Sequence, residues 1–537
     1  MPCFGGTRRN QQQLETNQQG RVTIDNNRVK LILSTAALCT CSLIHAFVLI
    51  SVYPYAALMV VDLLPHLTPE TAGPYSGLLA SSFMIGRTLS SYPWGRIADL
   101  YGRKFVLLSS LSLSALFSFL FGLSQSFGMA MVYRFMLGLT NGLVGTVKTV
   151  VTELAPSEEI ETQMMGLVVG MRAWGFLISP AIGGWLADPI RQYPSLFFDA
   201  EDGDNWFFNF LSKYPFVLPN LAGVTLCVGT ILVVWWCIPE TLPELQTSGA
   251  SLSASPFSIR GIKFSKRQPR DNGAKSLDKA TEESPLALQH GAGRSTYCSV
   301  VGPGPPGDKT STTSSTSMLA IWQKHSARNH LIPYWIFSLA VSALDEALPL
   351  FCIASVGVGL GVSENSIGQI LSVAGLAFAI FQYVIYVNTV QRTGLYKSLW
   401  IGCAMGFLPV FFIPISTILQ NSGETIDSES DPTGLNWKSF SLLAFLIAVS
   451  KIFCCMFFTS MSIALNKTIE TKERATLNGL ASLGGSIFKA LGPIIAGWLV
   501  AICFSANTTG YASIAVFTCI GCTGMGVLLM LRGLDQS

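Results

Sequence analysis

Charged residues are scarce in this sequence. Asp, Glu, Lys and Arg supply only 12% of its 537 residues, whereas a soluble globular protein carries about a quarter. Hydrophobic residues supply 50%, and the mean hydropathy is +0.46. A long chain with this composition is typical of a polytopic membrane protein. The net charge of +3 is small, and we expect no nucleic-acid partner.

Several motifs that enzymes require are also missing. The sequence has no phosphate-cradling P-loop, no G-x-S-x-G motif and no cluster of zinc ligands. Cys519 and Cys522 have the spacing of a metal or redox pair, but they lie in an apolar run without a second pair, so we interpret them as buried, inert thiols. We expect no enzyme activity, no catalytic residue, no metal and no cofactor. The missing Walker motif also argues against direct drive by ATP.

The sequence is rich instead in long apolar runs. About 20 apolar residues cross the roughly 30 Å hydrocarbon core of a bilayer. The runs are too long for strands and do not alternate, so they predict helices, which satisfy their backbone polar groups internally. The polar start of the chain suggests that the first run is an uncleaved span and not a signal peptide. The predicted spans lie at about 31–61, 74–94, 104–124, 128–151, 163–187, 214–238, 331–356, 367–387, 397–419, 439–464, 477–503 and 510–531.

A polar segment separates the first six spans from the last six. Residues 246–318 are rich in Ser, Thr, Gly and Pro, and this composition cannot bury enough apolar surface to fold alone. The predicted organisation is a cytoplasmic tail at 1–30, a six-helix bundle at 31–240, a disordered cytoplasmic linker at 241–330, a second six-helix bundle at 331–532 and a cytoplasmic tail at 533–537.

Lysine and arginine predict the orientation of these spans. They are concentrated in the amino-terminal tail, the linker and the connections after the second, eighth and tenth spans. The opposite side has only Arg191, Lys213 and Lys438. By the positive-inside bias, both termini and the linker are cytoplasmic. We expect a multi-pass protein of the plasma membrane or the vacuolar membrane.

Two of the predicted spans repeat one another. Residues 166–186 read "GLVVGMRAWGFLISPAIGGWL" and residues 479–499 read "GLASLGGSIFKALGPIIAGWL", with the proline and the final Gly-Trp-Leu in the same register. Composition alone does not explain a shared register, so we interpret the chain as an all-α membrane protein of two six-helix pseudo-repeats. Such a duplication suits a transporter with its site between the halves. The helix-packing positions in these spans are Gly175, Pro180, Gly183, Gly184, Gly492, Pro493 and Gly497.

A short charged turn, "PWGRIADLYGRK", follows the second span at 93–104. Its glycines, Gly95 and Gly102, permit close helix approach and a tight turn. Asp99 can accept hydrogen bonds at a helix start or pair with Arg103. We interpret the turn as a gating loop that latches one end of the protein. The alternative, that Arg103 and Lys104 merely mark the cytoplasmic face, does not explain Asp99 or the glycines.

This turn resembles the G-x-x-x-D-x-x-G-R-K loop of the major facilitator superfamily, and the resemblance extends over essentially all twelve spans. Arg134-x-x-x-Gly138 and Ser179-Pro180-x-x-Gly183-Gly184 are similar to further motifs of the family, the second to the antiporter motif of proton-coupled drug exporters. "LADPIRQYPSLF", "PETLPE" and "LDEALPLF" resemble the zinc-induced facilitator-like branch. The resemblance implies the major facilitator fold, a proton gradient as driving force, a small-molecule substrate and a monomer in the lipid bilayer.

Adjacent carboxylates lie near the middle of the predicted seventh span, at Asp345 and Glu346. Neighbouring residues of a helix point about 100° apart, so at most one of the two squarely faces a central cavity. Because apolar surroundings favour the neutral form of a carboxyl group, we predict a site for a proton or a cation here. The alternative is a structural ion pair with a basic residue of another helix.

Basic residues also lie within the predicted spans, where ionisable groups are costly and indicate function. Arg134 is the first candidate for proton transfer or for binding an anionic group, and Arg172 is the second. Arg87 and Lys489 could be structural or functional. Two acidic residues near span ends, Asp62 and Glu153, are expected to be hydrated.

The predicted function is secondary active transport, as proton-coupled antiport that exports a small organic solute or metal chelate by alternating access. A symporter or uniporter of the same fold is the first alternative. A receptor or scaffold that does not transport is the second, and the intact gating loop favours transport over it.

Two glycosylation sequons test the predicted orientation, because it puts Asn507 outside the cytoplasm and Asn466 inside. We expect that only Asn507 can carry glycan. A mobility shift on deglycosylation should disappear in Asn507→Gln and persist in Asn466→Gln. Glycan on Asn466 would overturn the orientation.

Overall fold

The computed structural model describes residues 6–194, 206–241, 318–421, 436–469, 474–506 and 511–532. Before the middle of the chain its helices are α1 (Gly6–Ile50), α2 (Ala56–Leu63), α3 (Gly73–Tyr101), α4 (Arg103–Gly122), α5 (Phe127–Leu139), α6 (Leu143–Leu154), α7 (Glu158–Leu186), α8 (Pro189–Gln192), α9 (Trp206–Lys213) and α10 (Val217–Cys237). After it they are α11 (Met318–Gln323), α12 (His325–Ile353), α13 (Glu364–Thr393), α14 (Leu395–Phe407), α15 (Ile415–Asn421), α16 (Trp437–Lys467), α17 (Arg474–Ala506) and α18 (Tyr511–Leu531).

Eleven helical segments in these ranges are long and apolar enough to cross a membrane. The predicted second span, α3, has 29 residues, which is long enough at a rise of about 1.5 Å per residue. Arg87, Arg96 and Asp99 make it more polar than the others. With α3, the spans match the twelve predicted, and the all-α membrane fold in two sets of six is confirmed.

Some spans are broken into shorter helices. The first turns at residues 51–55 between α1 and α2, and the fourth turns at 140–142 between α5 and α6. The ninth continues from α14 through a 3-10 helix at Leu408–Phe412 into α15. Each break leaves backbone polar groups that side chains or neighbouring helices must satisfy.

Helical structure resumes before the end of the predicted linker. Residues 318–330, which the sequence assigned to the linker, form α11 and the first turns of α12. Ile321 and Ala327 are buried in an apolar cluster with Leu465 at the end of α16, and this burial explains the correction. The rest of the predicted linker, from 242 to 317, lies outside the described residues.

The cysteine pair on α18 also differs from expectation. Cys519 and Cys522 are exposed and not buried. Both residues lie on the outer surface of α18, away from the packed interior. Because α18 is an apolar span, this surface is expected to face lipid. Asn507, just before this helix, lies outside the described residues.

The two helices with the repeated sequence, α7 and α17, take equivalent positions in the two halves. Gly497 of α17 lies so close to Gly73 of α3 that a Cβ on either would overlap the backbone of the other. Gly184 of α7 lies against α13 in the same way, where an added Cβ would be 3.1 Å from the Cα of Gly368. Each repeat helix therefore contacts a helix of the other half.

The remaining glycines of the predicted packing set lie against helices of their own half. In each case a Cβ would collide with a neighbouring helix or with the turn after α1, so the small residue permits the close approach. The contacts are Gly175 against Ala46, Gly183 against Ser51 and Gly492 against Ser342.

The halves meet near one end of the molecule and separate toward the other. The first turns of α3 hold the contact with α17, including a 2.6 Å hydrogen bond that Ser81 donates to the carbonyl of Ala490. We call this end the opposite face, and the end that carries the turn at 95–104 the terminal face. Toward the terminal face, α3 and α17 line a cavity instead of touching.

Close backbone approach within one half gives a stability prediction. A Cβ on Gly138 of α5 would collide with the backbone of α3, 2.8 Å from the carbonyl carbon of Phe83, whereas a Cβ on Gly128 of the same helix meets nothing within 4 Å. We expect Gly138→Ala to destabilise the protein by roughly 1–3 kcal/mol through overpacking.

The matched control is Gly128→Ala, which should leave stability unchanged or raise it by up to about 1 kcal/mol through helix propensity. Thermal unfolding of the purified protein measures both changes. Equal midpoints for the two variants would contradict the packing argument.

Candidate functional site

The charged turn is held in shape by a carboxylate from a distant part of the chain. Glu240, just after α10, accepts hydrogen bonds from the backbone N–H groups of Arg103 at 2.8 Å and Lys104 at 3.1 Å. It thereby caps the first turn of α4, where Gly102 has no side chain to do so. Gly102 has a φ of +100°, and a Cβ there would also collide with the Glu240 carboxylate. Glycine is therefore required twice over at this position.

Arg103 is the centre of this turn and is only 9% exposed. Its guanidinium pairs with Glu153 of α6 at 2.9 Å and with Asp99 at 3.3 Å, and it donates to the carbonyl of Ala98 at 2.9 Å. Thr241 donates to the other oxygen of Glu153 at 2.5 Å. We call Asp99, Arg103, Glu153, Glu240 and Thr241 the gate network.

Sequence reasoning missed part of the gate network. Glu153 was expected to be hydrated and is exposed, but its role as the counter-charge of the buried Arg103 was not predicted. Glu240 belongs to the "PETLPE" segment, which was noted without a role for its acid. The sequence feature that could have identified Glu240 is its position directly after a proline at the end of a span.

Asp99 and Gly95 face a cavity of about 340 Å³ between the halves. The Asp99 side chain is 70% exposed, and Ser482 and Ser486 of α17 line the same cavity. A Cβ on Gly95 would meet nothing within 4 Å, so this glycine makes no close helix approach here. The reason is that the cavity separates its helix from the other half at this end.

A second cavity of about 290 Å³ lies deeper, between the two halves. Tyr53 and Met84 line it from the first half, and Asp345, Lys451 and Lys489 line it from the second. Asp345 forms an ion pair with Lys451 of α16. Asp345 therefore forms the ion pair that was predicted as the structural alternative, and it also lines a cavity between the halves.

Glu346 points away from this cavity, as the angle between neighbouring helical residues predicts. It is 2% exposed and accepts a 2.6 Å hydrogen bond from Ser76 of α3. That hydrogen bond joins the two halves in the seam near the opposite face. The two adjacent carboxylates therefore differ in role: Asp345 faces the cavity and Glu346 lies in the seam.

Arg134 is 2% exposed and binds the end of α1. It donates to the carbonyls of Val48 at 2.9 Å and Leu49 at 2.7 Å, just before the break at 51–55. The ring of Phe83 lies 5.1 Å from its guanidinium carbon. A cation at a helix carboxyl end is favourable, so Arg134 stabilises the end of α1 where the first span is interrupted. It does not line the cavity that contains Arg172.

Arg172 lines a third cavity, of about 120 Å³, together with Lys148 of α6 and His45 of α1. The His45 ring is 1% exposed, and its Nδ1 lies 2.9 Å from the amide nitrogen of Asn141, in the break between α5 and α6. His45 was not among the sequence candidates. A lone histidine in an apolar run, in a chain with five histidines, was the signal that could have found it.

The seam near the opposite face is reinforced by polar contacts between the halves. Arg191 pairs with Asp188 at 3.1 Å and with Glu364 at the start of α13. Glu70, between α2 and α3, accepts a 3.1 Å hydrogen bond from the backbone N–H of Ser355. Partial burial acts to raise the pKa of Glu70, but the hydrogen bonds it accepts outweigh burial and leave its pKa below the ordinary value. Glu70 therefore stays charged near neutral pH.

Comparison with known proteins agrees with this geometry. The family model described as Major Facilitator Superfamily matches residues 38–426 and 332–535. Over 450 residues the chain is 30% identical to Protein ZINC INDUCED FACILITATOR-LIKE 1 of Arabidopsis thaliana. The aligned region covers 83% of this chain and 79% of that protein. Over 519 residues it is 25% identical to the major facilitator superfamily multidrug transporter mfsB of Aspergillus fumigatus, covering 90% and 80% of the two chains.

Among solved structures, the D-xylose-proton symporter has the same fold, with a TM-score of 0.58 at 14% identity over 93% of this chain and 97% of that chain. The family match, the helical spans and the cavity between two halves together describe a multi-pass integral membrane protein and a secondary transporter. The chain belongs to the Major Facilitator Superfamily, within its zinc-induced facilitator-like branch.

Proposed function

We propose that this transporter moves a small organic solute or metal chelate by proton-coupled alternating access, with the Asp345–Lys451 pair as the coupling site. The supporting observation is that this ionisable pair lines a cavity shared by both halves. A membrane-interior carboxylate whose charge depends on a neighbouring cation is suited to exchanging a proton when a solute arrives.

The seam near the opposite face supports alternating access. There α3 contacts α17 and α7 contacts α13, while the cavity at 95–104 lies at the other end. If the terminal face is cytoplasmic, as the basic residues predict, this is an inward-open state. Transport then requires the seam to part and the terminal face to close.

The turn at 95–104 is the latch of that closure in our proposal. Asp99 is exposed across the cavity from Ser482, and a carboxylate is favourable near the first turns of a helix such as α17. Gly95 has open space in the present state, which leaves room for α17 to approach. Arg103 and Glu240 keep the turn rigid enough to act as a latch.

Antiport is the coupling that the sequence predicts. It requires that proton and substrate compete for one site, so that each releases the other. A cationic group on the substrate would compete with a proton for Asp345, and also with Lys451. Export results if the site binds the solute while it is open to the cytoplasm and binds a proton while it is open to the other side.

Symport is the second candidate, and the ion pair itself favours it. A negatively charged substrate would bind Lys451 and displace Asp345, which then accepts a proton. Solute and proton would bind together and move in the same direction. The direction of proton movement during solute transport in proteoliposomes distinguishes the two couplings. For this assay we would screen organic acids, amines and metal chelates.

The latch gives a prediction for the transport rate. We expect Asp99→Asn to leave expression near normal and to slow transport roughly 2- to 5-fold, because a carboxylate at a helix start contributes about 0.3–1 kcal/mol. Glu240→Gln should slow transport in the same range by weakening the cap of α4. Initial uptake rates normalised to surface protein measure both effects.

The matched control for the latch is Glu159→Gln, an exposed carboxylate in the first turn of α7. It should leave the rate unchanged. A wild-type rate for Asp99→Asn at normal surface level would remove the latch from the mechanism.

The coupling site gives a second prediction. We expect Asp345→Asn or Glu346→Gln, tested singly, to reduce pH-gradient-driven accumulation at least tenfold while sparing solute exchange in at least one case. A tenfold effect corresponds to about 1.4 kcal/mol, or one unit of pKa. The charged or titratable groups that interact with Asp345 include Lys451, Lys489, Glu346, Tyr53 and Cys454.

Accumulation and exchange are measured in the same proteoliposomes with and without a pH gradient. If both variants keep a wild-type dependence on the gradient, the carboxylate pair is structural and the coupling residue lies elsewhere.

A further inference from the structure

Four basic side chains that form no ion pair within the described residues line three cavities, two of them between the halves and one within the first half. From their placement we infer that the transported solute is an organic polyanion with at least two carboxylate or phosphate groups. This inference rests on the proposed transport function and narrows its substrate class. The four residues, which we call the cationic cluster, are Arg87 of α3, Lys148 of α6, Arg172 of α7 and Lys489 of α17.

The cationic cluster belongs to adjoining cavities. Arg87 and Lys148 line the cavity of about 340 Å³, and Lys148 and Arg172 line the cavity of about 120 Å³. These two cavities share Val144 and Lys148. Lys489 lines the cavity of about 290 Å³, one helical turn from Ser486 of the first cavity. Lys148 and Lys489 each interact electrostatically with Arg87 and Arg172, and Lys489 also interacts with Asp345 and Lys451 of the deeper cavity.

The charges of the cluster are not compensated within the described residues. None of the four side chains lies within 4 Å of a carboxylate in the ion pairs formed there. The acids in the cavity linings are both engaged elsewhere, Asp99 with Arg103 and Asp345 with Lys451. Cations near one another repel, and the three that are partly buried, Arg87, Arg172 and Lys489, also lose hydration, so binding of an anion among them is electrostatically favourable.

A hydrogen-bond donor completes the site from α1. With the amide nitrogen of Asn141 donating to Nδ1 of His45, the ring proton lies on Nε2. Nε2 is buried and has no hydrogen-bond partner among the described residues. His45 lines the same cavity as Arg172 and Lys148, so it offers an N–H donor beside two cations. An anionic oxygen satisfies all three groups.

More than one negative charge is needed to balance four cations, and the cavities have room for a small solute. Two adjoining cavities of about 340 and 120 Å³ fit a ligand of the size that such sites usually bind. A monoanion would leave most of the cluster unpaired.

The test is direct binding, which needs no proton gradient. The full-length chain in phosphatidylcholine nanodiscs is titrated with citrate and with pyrophosphate at constant ionic strength, followed by calorimetry. Acetate, glucose and tetraethylammonium serve as monoanionic, neutral and cationic probes. We expect citrate or pyrophosphate to bind at least tenfold more tightly than acetate, with no detectable binding of glucose or tetraethylammonium.

Variants assign the binding to the cluster. Arg87→Gln, Arg172→Gln and Lys489→Gln should each weaken binding at least fivefold, whereas Lys397→Gln, which removes an exposed charge at the start of α14, should change it less than twofold. Removing an uncompensated cation should leave the ligand-free thermal midpoint unchanged or higher. Retained stability together with lost binding therefore excludes misfolding as the cause.

Three results would overturn the inference. The first is no binding of either polyanion, and the second is equal loss in Lys397→Gln and the cluster variants. The third is displacement of citrate by nanodiscs that contain phosphatidylglycerol, which would assign the cluster to a lipid headgroup. Proton-coupled transport of a neutral solute without polyanion binding would contradict this inference and support the proposed function. Polyanion binding without any transport would support the anion site and contradict the proposed transport function.

Discussion

A lysine, arginine or aspartate at the centre of a membrane helix costs roughly 2.5–3.5 kcal/mol unless something compensates its charge. Several contacts in this structure reduce that cost. Arg134 binds the carbonyls that end α1, and in the charged turn at the end of the spans Arg103 contacts two carboxylates and a carbonyl. Asp345 and Lys451 compensate one another across two helices. The cationic cluster is the part of the membrane interior where compensation is left to a ligand.

The second constraint is backbone distance. Glycine brings α3 against α17 and α7 against α13, and these contacts allow little adjustment because a single Cβ would overlap a backbone. A seam of this kind is either closed or parted, with no well-packed intermediate. The duplicated sequence of α7 and α17 places such seams at equivalent positions in both halves. The residues that revealed the duplication therefore also form the contacts that have to part in the proposed alternating access.

Local sequence was enough to predict the spans, the duplication and the angular separation of Asp345 and Glu346, because each depends on hydrophobicity or helical geometry. It was also enough to identify the turn at 95–104 as a distinct element. It could not give the partner of that turn, since Glu240 lies 137 residues from Arg103 and reaches it only through the packing of α10 on α4. The contact of His45 with Asn141 was missed for the same reason. The helices at 318–330 were missed because their apolar face is short and its partner is distant in sequence.

The cap of α4 has a consequence for the long middle segment. Glu240 and Thr241 hold the turn and Glu153, and the chain continues directly from Thr241 into residue 242, where that segment starts. The segment is therefore covalently joined, at its first residue, to the residues that cap α4 and contact Glu153. A pull or an added charge on the first residues of that segment would therefore be transmitted to Glu240 and Thr241, the residues that hold the charged turn.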